Sequence, residues 1–306
     1  MPSRPRDIQV DITILVINWN SGGHLAKLLW SLKELGGEVS GILVLDNASE
    51  DGSAECVAGF RGIELERMER NLGFAAAVNI GFRKSDSRYV LLLNPDIWFD
   101  DPAAVLSGLN RIADGDPGAA IVVPRLFTLS PLGPVPQSGF QVRPFPDLRS
   151  TLSDLLFWDE LGGRKAKRGG RIMEAVAETA EALEGQPAAA CWLVRKTAWE
   201  EAGGLDERFY PAWFEDVDFC LRIRRLGWRI LGHEGGGKVF HSGGCSLEVL
   251  GFRRFLVFYY HNLLRYWWKH HRILFPVVAA AAGIGFSLRL LLEIFQPGKA
   301  PGSRRR

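Results

Sequence analysis

Uninterrupted apolar runs and segments of helical spacing alternate along the first third of the chain. The apolar runs are ITILVIN (12–18), GILVLDN (41–47) and RYVLLLNPD (88–96), while HLAKLLWSLKEL (24–35) has apolar residues spaced as on one helix face. Apolar runs without polar alternation are typical of strands that are buried on both faces of a sheet. Their alternation with helices predicts an α/β fold, with a doubly wound, mostly parallel sheet and helices on both faces.

Further elements are predicted downstream. A short strand is expected at 63–67, a glycine-rich helix at GFAAAVNIGFRKS (73–85) and another strand at 119–124. The stretch 150–185 is polar and charged, with GGRKAKRGGR in its middle, and we expect a loop or short helices there. Ordered elements are expected again from residue 187 onward.

The apolar stretch ILFPVVAAAAGIGFSL (273–288) carries no charge, and LLLEIF follows it after Arg289. A helix that spans a bilayer needs ~20 predominantly apolar residues, so an unbroken crossing is marginal. The stretch is preceded by RYWWKHHR (265–272) and followed by a tail that ends in SRRR. Aromatic and basic residues beside an apolar helix favour a helix that lies in the membrane interface and meets anionic lipid. The alternative is a core helix that closes the domain, and the sequence leaves both open.

Composition and charge restrict the classes of function. The chain has 306 residues, of which 47% are hydrophobic, and 37 basic against 35 acidic residues give a net charge of +2. This balance is ordinary for a globular protein and argues against nucleic acid as a main partner. The four cysteines are far apart and form no CxxC pair, so we expect reduced thiols in the cytoplasm. The N-terminal arginines precede no apolar core, so no secretory signal peptide is expected.

Polar residues close three of the predicted strands. Asn18, Asp46 and Asp96 would lie at the carboxyl edge of the sheet, where open α/β sheets bind ligands. Asp46 could accept hydrogen bonds from a nucleotide base or ribose, or could simply belong to a strand-to-helix connection. Gly73 opens a helix where backbone can approach a ligand closely. Neither GxGxxG nor GxxxxGK[ST] occurs, so the fingerprints of dinucleotide folds and phosphate-loop NTPases are absent from the sequence.

Two further groups of residues could carry chemistry. Glu215, Asp216 and Asp218 crowd the first turn of a predicted helix, FEDVDFCLRIRRLGW. Asp218 has Arg222 at i+4, which is a sufficient structural explanation. Glu215 and Asp216 have no such local partner, and a carboxylate beside other carboxylates tends to have a raised pKa, which suits a general base. His241 follows a short apolar strand, and a histidine that meets an aspartate would suit Mg²⁺ or Mn²⁺ bound with phosphate oxygens.

In their order along the chain, these motifs resemble the family 2 glycosyltransferases of the GT-A fold, in particular their bacterial rhamnosyltransferase-like branch. The resemblance covers residues 11 to 268 and rests on VINWN, VLDNASEDGS, NLGFAAAVNIGF, LLLNPD, CWLVRKTAWEEAGGLDERFYPAWFEDVDFCLRIRRLGW and VFHSGGCS. It implies a GT-A transferase domain over 1–268 and a C-terminal extension over 269–306, made of an apolar or amphipathic helix and a basic tail.

The resemblance also implies roles for individual residues. Asp216 matches the catalytic base of an ED pair with Glu215, Asp46 the contact to the nucleotide base, and Asp96 the metal-binding end of a DxD-type motif. His241 matches a further ligand for the metal, Mg²⁺ or Mn²⁺, or for the diphosphate. The expected donor-binding residues are Asn18, Asp46, Asn47, Asn71, Gly73, Asn79, Asn94 and Asp96. The motif here reads Asn94-Pro95-Asp96, with a single carboxylate, so metal binding is expected to be weaker or differently arranged.

These implications lead to a specific hypothesis. We expect an inverting glycosyltransferase that moves a sugar, rhamnose from dTDP-rhamnose, onto a glycan or lipid-linked glycan in cell-surface polysaccharide synthesis. We place it in the cytoplasm, peripheral at the inner face of the cell membrane. Alternatives are a donor such as UDP-galactofuranose or a UDP-hexosamine, or a subunit that binds nucleotide sugars without catalysis. A nucleotidyltransferase is disfavoured because NWNSGGHL offers no arginine or lysine before Lys27.

Overall fold

A mixed eight-stranded sheet and a smaller four-stranded sheet form the framework of the computed structural model, which describes residues 10–35, 37–137, 142–157, 181–233, 236–243 and 249–295. The strands are β1 (Val10–Asn18), β2 (Val39–Asp46), β3 (Ile63–Arg67), β4 (Tyr89–Leu93), β5 (Ile97–Phe99), β6 (Ala119–Pro124), β7 (Leu126–Ser130), β8 (Gly133–Pro136), β9 (Glu181–Ala182), β10 (Cys191–Arg195), β11 (Arg229–His233) and β12 (Val239–His241). The helices are α1 (His24–Leu32), α2 (Phe74–Lys84), α3 (Pro102–Gly115), α4 (Leu148–Leu156), α5 (Lys196–Ala202), α6 (Glu215–Arg225), α7 (Phe252–His270) and α8 (Phe275–Phe295), with a 3₁₀ helix at Ser53–Gly59.

The large sheet has the strand order β3-β2-β1-β4-β10-β6-β11-β9. Its β1, β2, β3 and β4 are parallel, as are β6 and β11, while β10 and β9 run antiparallel to their neighbours. The predicted mostly parallel sheet is therefore confirmed. In its register Asn18 lies directly beside Asp46, so two of the predicted site residues are neighbours at the carboxyl edge.

Helices cover both faces of this sheet, as predicted. One face packs against α1, α3 and the 3₁₀ helix through residues such as Leu28 and Leu109. The other packs against α2, α5 and α6 through residues such as Val78, Trp199 and Phe219. The strands between them are apolar on both sides because both sides are covered, which explains the runs without alternation.

The small sheet, in the order β5-β12-β7-β8, was not predicted. Its strands are three to five residues long: β12, which ends at His241, was expected from the sequence, whereas β5, β7 and β8 were not. Antiparallel pairing of β12 with β5 places His241 opposite Ile97. The small sheet thereby brings His241 next to Asp96, which is 145 positions earlier in the chain.

A third apolar cluster joins α4, α7 and α8 to the segment that precedes α6. It contains Phe214 and Val217 beside Tyr260, Trp267 and Val278. The C-terminal helices therefore pack on the residues that introduce Glu215 and Asp216.

Most predicted boundaries agree with the structure to within a few residues. The strands at 63–67 and 119–124 are confirmed, while the helix predicted over 24–35 ends at Leu32. At the start of the stretch 150–185, α4 begins at Leu148 with Asp147 as its N-cap, and residues 158–180 lie outside the described part. The domain division after residue 268 stays a prediction.

Candidate active site

Asn18 and Asp46 form a buried hydrogen-bonded pair at the carboxyl edge of the sheet. Asn18 Nδ2 donates to Asp46 Oδ1 at 2.8 Å and also to the hydroxyl of Ser53. Ser49 donates its hydroxyl to Asp46 Oδ1 and its backbone N–H to Oδ2. A carboxylate has about four lone-pair positions, so Asp46 keeps acceptor capacity at Oδ2 for a ligand N–H.

Asn47, Asn71 and Gly73 form a second group beside the first. Asn47 donates its backbone N–H to the Asn18 carbonyl at 2.8 Å, and its Nδ2 to Asn71 Oδ1 at 3.1 Å. Gly73 has φ 85° at the start of α2, a conformation that favours glycine, and a Cβ there would come within 2.8 Å of Tyr210. This group places the N-terminus of α2 at the edge of the sheet, where the Gly73 N–H donates to Asn71 Oδ1.

Asp96 and His241 form a third group, which the small sheet brings together. His241 Nε2 lies 3.4 Å from Asp96 Oδ2, and the same oxygen accepts the backbone N–H of Gly243 at 2.9 Å. Both side chains are about 95% buried. Burial lowers the pKa of His241, against an opposing effect of Asp96, so the imidazole is neutral near pH 7.

The chemistry of this pair fits a divalent cation that is held together with phosphate oxygens. An imidazole nitrogen and a carboxylate oxygen 3.4 Å apart are both potential ligands. Among the described residues no group of three or more His, Cys, Asp or Glu could hold a metal by itself. Mg²⁺ characteristically takes one or two protein carboxylates and completes its coordination with substrate phosphates and water. A two-ligand site therefore suits a cation that binds with a diphosphate.

Glu215 and Asp216 open α6 directly after a strained turn. Trp213 and Phe214 have φ of 76° and 74°, which non-glycine residues seldom adopt and which cluster at functional sites. Burial raises the pKa of Glu215 well above its ordinary value, and the nearby Asp216 adds to the rise. Burial also raises the pKa of Asp216, although the Val217 and Ala189 backbone N–H groups and Arg143 oppose the rise. Asp216 is partly exposed, so a ligand can reach it.

Asp218 has a structural role, as its i+4 arginine indicated. Its buried carboxylate pairs with Arg222 at 2.8 Å, Lys269 at 2.6 Å and His270 at 2.7 Å. These contacts join α6 to α7. Burial alone would raise the pKa of Asp218. Hydrogen bonding by His270, together with Arg222 and Lys269, outweighs burial and lowers it.

Direct contacts connect these groups to one another. The Phe74 backbone N–H donates to the Pro211 carbonyl at 2.7 Å, which joins the start of α2 to the turn before Glu215. The Asn94 N–H donates to the Ala190 carbonyl at 2.9 Å, and the adjacent Ala189 N–H hydrogen-bonds Asp216. Hydrogen bonds thus connect the segments that carry the predicted residues other than Asn79.

Asn79 lies apart from these contacts. Its Nδ2 donates to the Leu205 carbonyl and to Glu207, and its Oδ1 accepts the Leu205 N–H. It lines an open cavity of about 610 Å³ together with Trp199 and Lys269. These contacts tie α2 to the segment after α5, and none of them involves another residue of the predicted donor site.

Two residues that the sequence did not single out support the site. Asn262 on α7 is fully buried and donates from Nδ2 to the carbonyls of Tyr210 and Ala212, at 3.2 and 2.8 Å. Gln137 contacts both the ring and the carbonyl of His241. A lone asparagine in the apolar segment FYYHNLLRYWW was a usable signal for the first, since buried amides need partners. Gln137 had no comparable signal.

Sequence comparison decides the family. The sequence model of glycosyl transferase family 2 matches residues 13–165, which is half of the chain. The chain belongs to glycosyl transferase family 2. It is a glycosyltransferase, and the resemblance noted in the sequence is confirmed. The matched region contains Asp46 and Asp96 and ends before Asp216 and His241, so the family match itself assigns no role to either.

One curated relative points to the rhamnosyltransferase branch. The chain is 28% identical over 234 residues to the N-acetylglucosaminyl-diphospho-decaprenol L-rhamnosyltransferase of Mycobacterium tuberculosis, in strains CDC 1551 and H37Rv, which covers 71% of each chain. That enzyme's name describes a rhamnose transferred to a lipid-linked N-acetylglucosamine.

Solved structures confirm the GT-A fold of this family-2 chain. GalNAc-T7 with UDP, GalNAc and Mn²⁺ has a TM-score of 0.56 at 15% identity, covering 86% of this chain and 50% of that one. The mannosyltransferase PcManGT of Pyrobaculum calidifontis, with GDP-Man and Mn²⁺, has a TM-score of 0.54 at 14% identity, covering 97% and 81%. At these identities the likeness concerns the fold alone.

Proposed function

We propose that this glycosyltransferase transfers a sugar with inversion, using Asp216 as the base, from a nucleotide donor to a lipid-linked glycan acceptor. The observation that carries the proposal is a partly exposed carboxylate of raised pKa, connected by direct contacts to the edge that holds Asp46, Asp96 and His241. A subunit that only binds nucleotide sugars has no need of such a carboxylate. The proposed donor is dTDP-rhamnose, because the curated relative is a rhamnosyltransferase.

In the proposed reaction, the acceptor hydroxyl attacks the anomeric carbon of the donor sugar. A new C–O bond forms there while the bond from that carbon to the diphosphate oxygen breaks, and the nucleoside diphosphate leaves. A sugar hydroxyl is a poor nucleophile at neutral pH, so Asp216 takes its proton as the bond forms. The raised pKa brings Asp216 closer to the pH at which a base of this kind works best.

The remaining residues bind and orient the donor. Asp46 accepts an N–H of the nucleotide base at Oδ2, and the amide side chains of Asn18 and Asn47 hold the surrounding loop in place. Asp96 and His241 would hold Mg²⁺ or Mn²⁺, which offsets the charge that the departing diphosphate gathers. The positive end of the α2 helix dipole favours the same anionic group.

Helix α8 supports the proposal that the enzyme also contacts a membrane. Among the described residues, one helix, Phe275–Glu293, is long and apolar enough to cross a bilayer, and 22% of it is buried. Its inner face contributes Val278, Ala281 and Ala282 to the cluster shared with α4 and α7. Its outer face exposes a row of apolar side chains by 40% to 54%: Val277, Ile284, Leu288, Leu291 and Leu292. The helix is therefore a core helix on one side only.

The two charges that interrupt this helix point toward the protein. Arg289 donates to the Asp154 and Leu155 carbonyls at the end of α4 and to the Tyr260 hydroxyl. Glu293 pairs with Arg253 at 3.0 Å. The exposed row, which we call the outer stripe of α8, is thus left without either charge.

These features fit a helix that lies in a membrane interface. At its start, exposed Trp268, Arg272 and Ile273 combine an aromatic ring, a cation and an apolar side chain, as interfacial segments do. A lipid-linked acceptor would be presented at the same surface. We therefore propose a cytoplasmic enzyme that is peripheral at the inner face of the membrane, held by the outer stripe of α8.

A binding and transfer panel tests the proposed donor. We expect dTDP-rhamnose with Mn²⁺ to raise the melting temperature more than UDP-galactofuranose or UDP-N-acetylglucosamine does, because a ligand that binds the folded state raises its stability. The same donor should be consumed when a lipid-linked N-acetylglucosamine diphosphate is added. Larger stabilisation by a UDP-sugar, with transfer from it, would assign the donor to the alternative class. Stabilisation without transfer from any donor would favour the binding subunit.

A second prediction concerns the two potential metal ligands. Asp96→Ala and His241→Ala should each weaken Mn²⁺-dependent binding of the nucleoside diphosphate by more than about tenfold, since even outer-shell partners of metal ligands contribute about 10–100-fold. Binding of the nucleoside alone, which lacks the phosphates, should change little. Calorimetry with both ligands measures this, and Glu64→Ala, which removes an exposed carboxylate on β3, controls for net charge. Equal losses of affinity for the nucleoside diphosphate and for the nucleoside would indicate that the two residues have a structural role.

A further inference from the structure

The Gln137 side chain is held in a single orientation beside His241. Its Nε2 lies 2.7 Å from the His241 carbonyl oxygen and 2.6 Å from the Thr128 hydroxyl. A carbonyl oxygen can only accept, so the amide atom that faces it must be the nitrogen. The Gln137 backbone is also fixed, because its N–H donates to the Leu126 carbonyl at 2.9 Å.

This orientation determines which ring nitrogen of His241 carries the proton. With Nε2 of the amide committed to the carbonyl, Gln137 Oε1 faces His241 Nδ1 at 3.0 Å. An amide oxygen can only accept, so Nδ1 must donate and therefore bears the hydrogen. An imidazole that binds a cation has one N–H, so with Nδ1 protonated the lone pair lies on Nε2.

The lone pair on Nε2 is directed to the side of the ring where Asp96 lies. His241 Nε2 and Asp96 Oδ2 are 3.4 Å apart, so a nitrogen lone pair and a carboxylate oxygen converge. In the other tautomer Nε2 would carry a hydrogen and could only donate to Asp96. The tautomer that Gln137 selects is the one that can bind a cation jointly with Asp96.

We propose that Gln137 is a positioning residue that holds His241 in the Nδ1-protonated tautomer, so that Nε2 can bind a divalent cation together with Asp96. The inference rests on the proposed function, in which that cation binds with the donor diphosphate. Gln137 itself acts through His241.

Variants at and beside Gln137 test the proposal. Mn²⁺ is titrated into the full-length protein with thymidine or uridine diphosphate present, and free Mn²⁺ is followed by its EPR signal. Gln137→Leu, which keeps a similar size without polar atoms, is expected to weaken Mn²⁺ binding at least about tenfold. Thr128→Val removes the other acceptor of the same amide but leaves both contacts to His241, so its affinity should stay within about twofold. Pulsed EPR should show imidazole nitrogen coupling to Mn²⁺ in the wild type and its loss in Gln137→Leu and His241→Ala.

A measurement on the wild type keeps the proposal testable even where a variant folds poorly. Long-range ¹H–¹⁵N spectra report the tautomer of each histidine, and His241→Ala assigns the signal. The Nδ1-protonated pattern supports the proposal, and the Nε2-protonated pattern overturns it. Unchanged Mn²⁺ affinity in Gln137→Leu would overturn the role of Gln137 alone, whereas a wild type that binds no Mn²⁺ with either nucleotide would overturn the cation site as well.

Discussion

Asp216→Asn is expected to lower the rate of sugar transfer by at least about 100-fold, because general-base catalysis contributes ~10²–10⁴-fold and an amide cannot accept the proton. Donor binding should stay close to the wild-type value, since the amide keeps the shape of the side chain. Transfer is measured with saturating donor and acceptor, and donor affinity by calorimetry. Retention of more than about a hundredth of the wild-type rate would contradict the assignment of the base.

Glu215→Gln is the matched control for this prediction. Glu215 is 5% exposed, and its Oε2 has no hydrogen-bond partner among the described residues, so it is poorly placed to meet a substrate. Burial and the charge of Asp216 raise the pKa of Glu215, whereas the pKa of Asp216 is set by burial, backbone N–H groups and Arg143. We therefore expect Glu215→Gln to keep most of the transfer rate. The opposite ranking of the two variants would move the role of base to Glu215.

The thermal stability of Asp216→Asn provides a second control, because it depends on the pKa of the same carboxyl groups. Burial raises the pKa of both Glu215 and Asp216. A carboxyl group whose pKa is higher in the folded state stabilises the fold fully below its unfolded pKa, and this contribution is lost as the pH rises through the folded pKa. Once such a buried carboxyl group is ionised, it destabilises the fold instead. Asp216→Asn should therefore melt at or above the wild-type temperature at pH 7, which excludes unfolding as the cause of lost transfer.

Replacing Ile284 and Leu288 of the outer stripe by glutamate is expected to weaken binding to anionic vesicles by about 100-fold or more. Burying a full leucine or isoleucine side chain is worth ~1.5–3 kcal/mol, and these two are about half exposed. Each nearby charge contributes ~1 kcal/mol at an anionic surface, and the glutamates would be repelled. The combined loss of about 3.5–5 kcal/mol corresponds to a factor above about 100. Co-sedimentation with vesicles measures it.

A control with the same chemistry is available elsewhere on the molecule. Leu129 and Leu132, on the hairpin of β7 and β8, are 61% and 100% exposed, so Leu129→Glu with Leu132→Glu adds the same two charges away from α8. This pair should leave vesicle binding within about threefold of wild type, as expected for modest surface electrostatics. Equal losses of vesicle binding in the two double variants, or no vesicle binding by the wild type, would contradict the membrane proposal. Truncation after His271 is a poorer test, because it also removes the buried Val278 and the contacts of Arg289.

The sequence predicted the large sheet well because its signals are local. Buried parallel strands appear in the sequence as continuous apolar runs. The polar residues that end them, such as Asn18 and Asp46, lie at the carboxyl edge of the sheet, as expected. The small sheet was not predicted, because β12 pairs with β5 and β7, which lie far earlier in the chain. The meeting of Asp96 with His241 was inferred from chemistry and family resemblance, and not from pattern.

Contacts between distant segments explain what else was missed. Gln137 acts on His241 and Asn262 on the turn at Tyr210, and neither pair leaves a trace in local periodicity. For α8 the sequence was compatible with either a core helix or a membrane helix. It shows that Arg289 and Glu293 interrupt the apolar stretch, but not whether their side chains face the protein or the outside. The structure gives the helix one buried face and one exposed face.

The close approach of Gly73 to the turn at Tyr210 and Pro211 sets a condition for recombining enzymes of this kind. In the proposed function the residues of the N-terminal part bind the donor and the segment from 187 supplies the base, so a chimaera that joined the two parts from different relatives would combine the two roles. The two halves meet where Phe74 donates to the Pro211 carbonyl, and any side chain at position 73 would strike Tyr210. A productive crossover must therefore exchange these residues as a matched set, together with the helix that carries Asn262.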